Sequence, residues 1–277
     1  MRQEYEFDAR DGMRLYGQTW SPGGPVRGRV VLLHGFGDHS ARYGHVAEHL
    51  NGAGFAVHAY DQRGHGRSPG RRAYVARFDD FLDDLDAFLA QAGAAEWREP
   101  WFMMGHSMGG MVLTRFLQTR NPACRGAVFS SPFLGFTDDV PPALLKLAGV
   151  ISSVLPWLPV GRVENSGLSR EPAVAAAADK DPLAFHGRVA ARTGAEFQRA
   201  IAAAEAAYGK ITLPALVFHG TADRIVPCRG SRTLFERMGS ADKTLKMHEG
   251  GFHELWNDTC RGEVLADVTA WLGQRLG

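Results

Sequence analysis

Short continuous apolar runs alternate along the chain with longer segments whose apolar residues recur at helical spacing. Six runs stand out: Arg29–Leu33, Phe55–Tyr60, Trp101–Met104, Ala127–Phe129, Ala215–Phe218 and Leu245–His248. Most lack polar alternation, which predicts strands buried on both faces, as in a parallel sheet. Helical patterns fall between and after them, over Ser40–Leu50, Phe78–Gln91, Met108–Gln118, Arg232–Met238 and Val264–Leu276. In the second, Phe78, Phe81, Leu82, Leu85 and Leu89 share one face. Strands alternating with helices predict an α/β architecture with a mostly parallel, doubly wound sheet. Ahead of it, Tyr5–Phe7 and Met13–Trp20 predict an antiparallel hairpin turning at Asp11-Gly12.

One stretch breaks the alternation. About eighty residues separate the fourth and fifth runs, far more than a crossover requires. The economical expectation is a single domain over 1–277 with a helical cap inserted at about 135–200, between core segments 1–134 and 201–277. The helical pattern Arg192–Tyr208 would return the chain to the sheet.

Composition narrows the class. With 31 basic and 30 acidic residues the formal charge is +1, without the basic excess that nucleic-acid binding requires. Cys124, Cys228 and Cys260 are too few and too widely spaced for a disulfide framework or a metal site, so a cytoplasmic setting is expected. The charged N-terminus does not read as a secretory signal. The most apolar stretch, Pro141–Gly161, is interrupted by Lys146, Pro156 and Pro159 and is too broken to cross a bilayer.

The polar residues that end the apolar runs would gather at the carboxyl edge of the sheet, where open α/β folds bind ligands. Gly105-His106-Ser107-Met108-Gly109 matches G-x-S-x-G between a strand and a helix, as in the nucleophile elbow of α/β-hydrolases. The alternative is a serine serving only as a helix N-cap. A serine hydroxyl needs a base, and the base an orienting carboxylate, in the chain order Ser, acid, His. Asp223 follows the fifth run and His253 follows the sixth; Asp242 and Glu249 are the fallback acids. His34, His106 and His219 also lie beside strand ends but read as structural, and His65 as part of a self-bonded loop. The oxyanion needs two preset N–H donors, expected at Met108 and at Phe36 in His34-Gly35-Phe36-Gly37.

With these residues placed, the chain resembles the monoacylglycerol lipase and lysophospholipase branch of the α/β-hydrolases over nearly its whole length. The resemblance rests on His34 to Tyr43, Asp61 to Ser68, Gly105 to Gly110, Asp179 to Leu183, His219 to Arg224 and His253 to Leu255. It implies a Ser107–Asp223–His253 triad, oxyanion donors at Phe36 and Met108, and a hydrophobic cap that admits one acyl chain, often from a membrane surface. Arg42 matches a position near the polar head of the substrate in such lipases. Arg42, His106 and Ile225 are the candidate substrate contacts.

The expected function is hydrolysis of a monoacylglycerol or similar single-acyl lipid through an acyl-enzyme, with no metal and no organic cofactor. The alternatives are a broad carboxylesterase or lysophospholipase, and a non-catalytic ligand-binding protein, which the intact triad disfavours. Peptidase chemistry also occurs on this fold. The segment Ala143–Leu158 either lines an acyl tunnel and touches lipid or simply packs on the core.

Overall fold

The computed structural model describes residues 1–277, with side chains at all positions except 142 and 144–146. A hairpin of β1 (Arg2–Asp8) and β2 (Arg14–Trp20) leads into β3 (Gly28–Leu33), α1 (Gly44–Gly52), β4 (Phe55–Tyr60), α2 (Asp79–Gln91), β5 (Trp101–His106), α3 (Met108–Arg120) and β6 (Gly126–Ser130). Between this half and the last strands lie α4 (Pro142–Val154), β7 (Pro159–Gly161), α5 (Pro172–Lys180), β8 (Val189–Ala190) and α6 (Ala191–Glu205). The chain closes with β9 (Ala215–Gly220), α7 (Arg229–Arg237), β10 (Lys243–His248) and α8 (Arg261–Gly273).

The eight-stranded sheet has the order β1-β2-β4-β3-β5-β6-β9-β10. The hairpin strands pair antiparallel, β2 joins β4 antiparallel, and every other pair is parallel. This is the α/β-hydrolase fold. The central strands are apolar on both faces because both are covered. Val31, Leu33, Met103 and Phe129 pack with α2 and α3, while Val30, Leu32, Phe102 and Met104 pack with α1 and α8. A fully buried side chain such as Phe102 contributes about 1.5–3 kcal/mol of hydrophobic stabilisation.

Two local expectations shift. The helix expected from Ser40 begins there as a 3-10 turn, and the Ser40 hydroxyl does not cap it. That hydroxyl donates to Asp61 Oδ1 at 2.5 Å and accepts from Gln18 Nε2, and the turn, over Ser40–Tyr43, precedes α1. The helix expected from Arg232 starts three residues earlier, at Arg229. The region between β6 and β9 holds three α-helices, two short 3-10 turns and one small two-stranded ladder, β7 against β8. Its last helix, α6, reaches the core through Phe197, Ala200 and Ala204. No helix among the described residues is long and apolar enough to cross a membrane.

Candidate active site

The turn after β5 carries Ser107 at φ 51° and ψ −117°, a backbone conformation that residues with a side chain rarely adopt. Ser107 N donates to Ser130 O at 3.0 Å, and Phe133 N donates to Ser107 O at 2.9 Å. These bonds pin the turn to the end of β6. The end of β3 and α3 then run so close that a methyl group on Gly109 would sit 2.3 Å from Leu33 O and 2.6 Å from His34 O. One on Gly105 would sit 2.5 Å from Gly109 O. Backbone occupies the space, so both positions tolerate only hydrogen. Ser107 holds the position before α3, yet its hydroxyl caps no amide.

Asp223 lies in the turn after β9, its side chain fully buried. Oδ1 accepts from the amides of Ile225 at 2.8 Å and Val226 at 2.9 Å. Oδ2 is 2.6 Å from His253 Nδ1 and 3.0 Å from His219 Nε2. Burial opposes its charge, but His253 and His219 outweigh burial and hold the carboxyl far below its ordinary range.

His253 follows β10, and its loop is held from outside the sheet. Glu254 N donates to Leu168 O at 2.7 Å, and Phe252 N to Asp258 Oδ2 at 2.9 Å. The buried ring lies 4.7 Å from that of His106. Burial pulls its pKa down, but the Asp223 carboxylate overcomes this and raises it above the ordinary imidazole value. Ser107 and His253 line the same pocket, with Phe36, Arg42, His106 and Ile225. Asp242 is paired with Arg275 and Glu249 is exposed, so neither fallback acid reaches His253.

The loop after β3 brings Phe36 beside Ser107. His34 accepts from Gln62 N at 2.9 Å, and Gly37 O accepts from Phe185 N at 2.8 Å. The amides of Phe36 and Met108 donate to no protein group among the described residues. Arg42 spans two acids: its guanidinium meets Glu254 at 2.8 and 2.9 Å and Asp38 at 3.1 Å. Tyr43 also donates to Asp38. His106 is engaged by Ser130 Oγ at 3.0 Å. His65 bonds Arg63 O within its own loop, and burial lowers its pKa to about 3.

Two chambers meet at Ser107 and Phe36. One, of about 70 Å³, is bordered by Asp38, Arg42 and Glu254. The other, of about 550 Å³, runs under α4 and α6 and is lined by Phe133, Phe136, Ile151, Val160, Val189 and Phe197. The parts of the apolar segment at Leu144, Leu145 and Lys146 lie outside the described side chains. Further along it, Leu147, Val150, Val154, Leu155, Trp157 and Leu158 are exposed.

A family model described as serine aminopeptidase, S33, matches residues 24–260. The chain belongs to this α/β-hydrolase family. Among curated members, the monoacylglycerol lipase of Mycolicibacterium smegmatis is 35% identical, across 99% of this chain and 98% of that one. The crystal structure of the Paleococcus ferrophilus monoacylglycerol lipase superposes on this S33 hydrolase with a TM-score of 0.86 at 35% identity, covering 95% of this chain and 100% of that one. A soluble variant of the Saccharomyces cerevisiae monoglyceride lipase, solved with a substrate analogue, gives 0.84 at 25% identity, covering 100% and 95%.

The sequence reading missed two features of this S33 hydrolase. His219 stands on the same carboxylate as His253, a contact that its position four residues before Asp223 makes reachable. Glu254, the neighbour of His253, closes the clamp on Arg42. Only the fold brings residues 42 and 254 together.

Proposed function

We propose that this chain hydrolyses carboxylic esters of the monoacylglycerol type, with Ser107 as nucleophile. The observation that carries this reading is the large apolar chamber opening directly beside a buried serine in an elbow, with a histidine–aspartate pair at hand. His253 Nε2 takes the Ser107 proton as Oγ attacks the ester carbon. The developing oxyanion accepts from the Phe36 and Met108 amides, which no protein group engages. His253 then gives the proton to the leaving alkoxide, and the alcohol departs. Water enters, loses a proton to His253 and attacks the acyl-enzyme, releasing the acid and restoring Ser107 Oγ–H. Asp223 holds Nδ1 and stabilises the imidazolium.

The acyl chain would occupy the 550 Å³ chamber, within the roughly 300–1,000 Å³ of small-molecule sites. The polar head would face the small chamber near Arg42. In the small chamber Asp38 and Glu254 are both bound by Arg42, which leaves neither free to hold the ammonium of an aminopeptidase substrate. The segment 135–200 would act as the cap, and its exposed Val150, Val154 and Trp157 as a lipid-surface contact.

The test is a panel of monoacylglycerols, lysophospholipids, p-nitrophenyl esters and amino-acid p-nitroanilides, with Ser107→Ala as control. Monoacylglycerols should be cleaved best, and Ser107→Ala should be inactive. Preference for short soluble esters would replace the lipase reading with an esterase one. Cleavage of the anilides would restore the peptidase reading.

A further inference from the structure

Asp223 serves two histidines, and only one of them faces the substrate pocket. His219 lies at the end of β9, fully buried, as is Ser231 on α7. Its Nε2 is 3.0 Å from Asp223 Oδ2 and 3.1 Å from Val226 O. Its Nδ1 is 2.7 Å from Ser231 Oγ. Both neighbours of Nε2 are acceptors, so Nε2 must carry a proton, because a lone pair there would meet two oxygens without compensation. The Ser231 hydroxyl then donates to Nδ1 and locks that tautomer.

We propose that His219 is a positioning residue for the reaction: it orients the Asp223 carboxylate and withdraws part of its charge, which sets the basicity of His253. The inference rests on the triad reading above. Every lone-pair direction of Asp223 is engaged, two by backbone amides and two by imidazoles. The carboxylate therefore has one orientation, and His253 Nδ1 receives its bond from an oxygen already shared. Hydrogen bonds to a charged carboxylate stabilise it and weaken its pull on any one partner. Losing the His219 donor focuses the charge on His253, stabilises the imidazolium and makes the base harder to deprotonate.

The other groups facing this pair come from separate elements. His106, at the end of β5, packs on His253. Asp38, from the loop after β3, and the adjacent Glu254 favour the charged imidazole, and Arg42 pairs with both acids. None of them touches Asp223, so His219 can be altered separately.

The experiment is the pH dependence of kcat/KM for p-nitrophenyl butyrate in wild type, His219→Leu, His219→Gln and Ser231→Ala. His219→Leu should move the acid limb up by about 0.5–1 pH unit. His219→Gln, whose amide donor reaches the same place, should return the limb to the wild-type position. Ser231→Ala should move it part of the way. An unchanged limb in His219→Leu would overturn the proposal, as would failure of His219→Gln to restore it. Histidine nitrogen NMR of the wild-type protein tests the proposal without relying on a variant that folds: His219 should be protonated at Nε2 with Nδ1 accepting, and the reverse tautomer would overturn it. Ser107→Ala separates the two levels. If that variant still hydrolyses esters, the triad reading fails; if it is inactive while the His219→Leu limb is unmoved, only the role of His219 fails.

Discussion

Gly109→Ala tests whether the close approach of α3 to β3 sets the geometry of the site. The added methyl would lie 2.3 Å from Leu33 O, where ordinary contact begins at 3.4 Å. The strand and helix must therefore separate by about 1 Å, because the obstructing atoms are backbone. That movement displaces the His34–Gly37 loop relative to Ser107, and a displacement of about 1 Å at a catalytic site costs on the order of 100-fold in rate. Overpacking adds a stability loss of about 1–3 kcal/mol. At about 2–4 °C per kcal/mol for a chain of this size, the midpoint should fall by roughly 2–12 °C. The assays are kcat/KM on a soluble ester and thermal unfolding by circular dichroism. Gly262→Ala is the control, since nothing lies within 4 Å of a methyl there; it should leave activity near wild type and the midpoint unchanged or slightly raised, because glycine costs about 0.5–1 kcal/mol in a helix relative to alanine. A Gly109→Ala enzyme with activity within about threefold of wild type would refute the reasoning.

Four more predictions rest on the same geometry. Asp223→Asn should lower kcat by about 10³–10⁴-fold by favouring the wrong tautomer of His253. As the proposed base, His253 must be neutral to act, and its pKa is raised, so the acid limb of kcat/KM should lie above the ordinary imidazole value, with activity falling as pH drops through it. Ser107→Gly should be inactive yet more stable: it relieves about 1–3 kcal/mol of backbone strain against roughly 0.5–1 kcal/mol of glycine entropy, and differential scanning calorimetry would read the raised midpoint. Arg42→Met leaves Asp38 and Glu254 buried without their cation, so urea unfolding at neutral pH should show a loss of about 3–5 kcal/mol. That loss should shrink in acid as the Asp38 carboxyl takes up a proton.

The sheet was legible because its strands are buried on both faces, which leaves continuous apolar runs that periodicity detects. Their ends were less legible. β5 continues through Gly105 and His106 because its neighbours supply ladder bonds, and no apolar residue marks that extension. The proposed triad of Ser107, Asp223 and His253 was readable from chain order because each follows a strand at the same sheet edge. The pairing of β7 with β8 was not, since a three-residue strand carries no periodicity. His219 reads as a strand-end histidine until the fold turns it onto Asp223. Arg42 was expected beside the polar head of a substrate and does border the small chamber. Its commitment to Glu254, 212 residues away, is a tertiary contact that no local pattern encodes.

The unequal chambers at Ser107 bear on what else the enzyme could make. On the proposed reading, the acyl group stays anchored in the roomy side while the first product leaves through the tight polar side. The second nucleophile would enter by that same side, where a small polyol would compete with water. Water activity would then decide the direction of flow: dilute medium gives free acid, and a glycerol-rich, nearly dry medium turns the same catalyst toward ester synthesis.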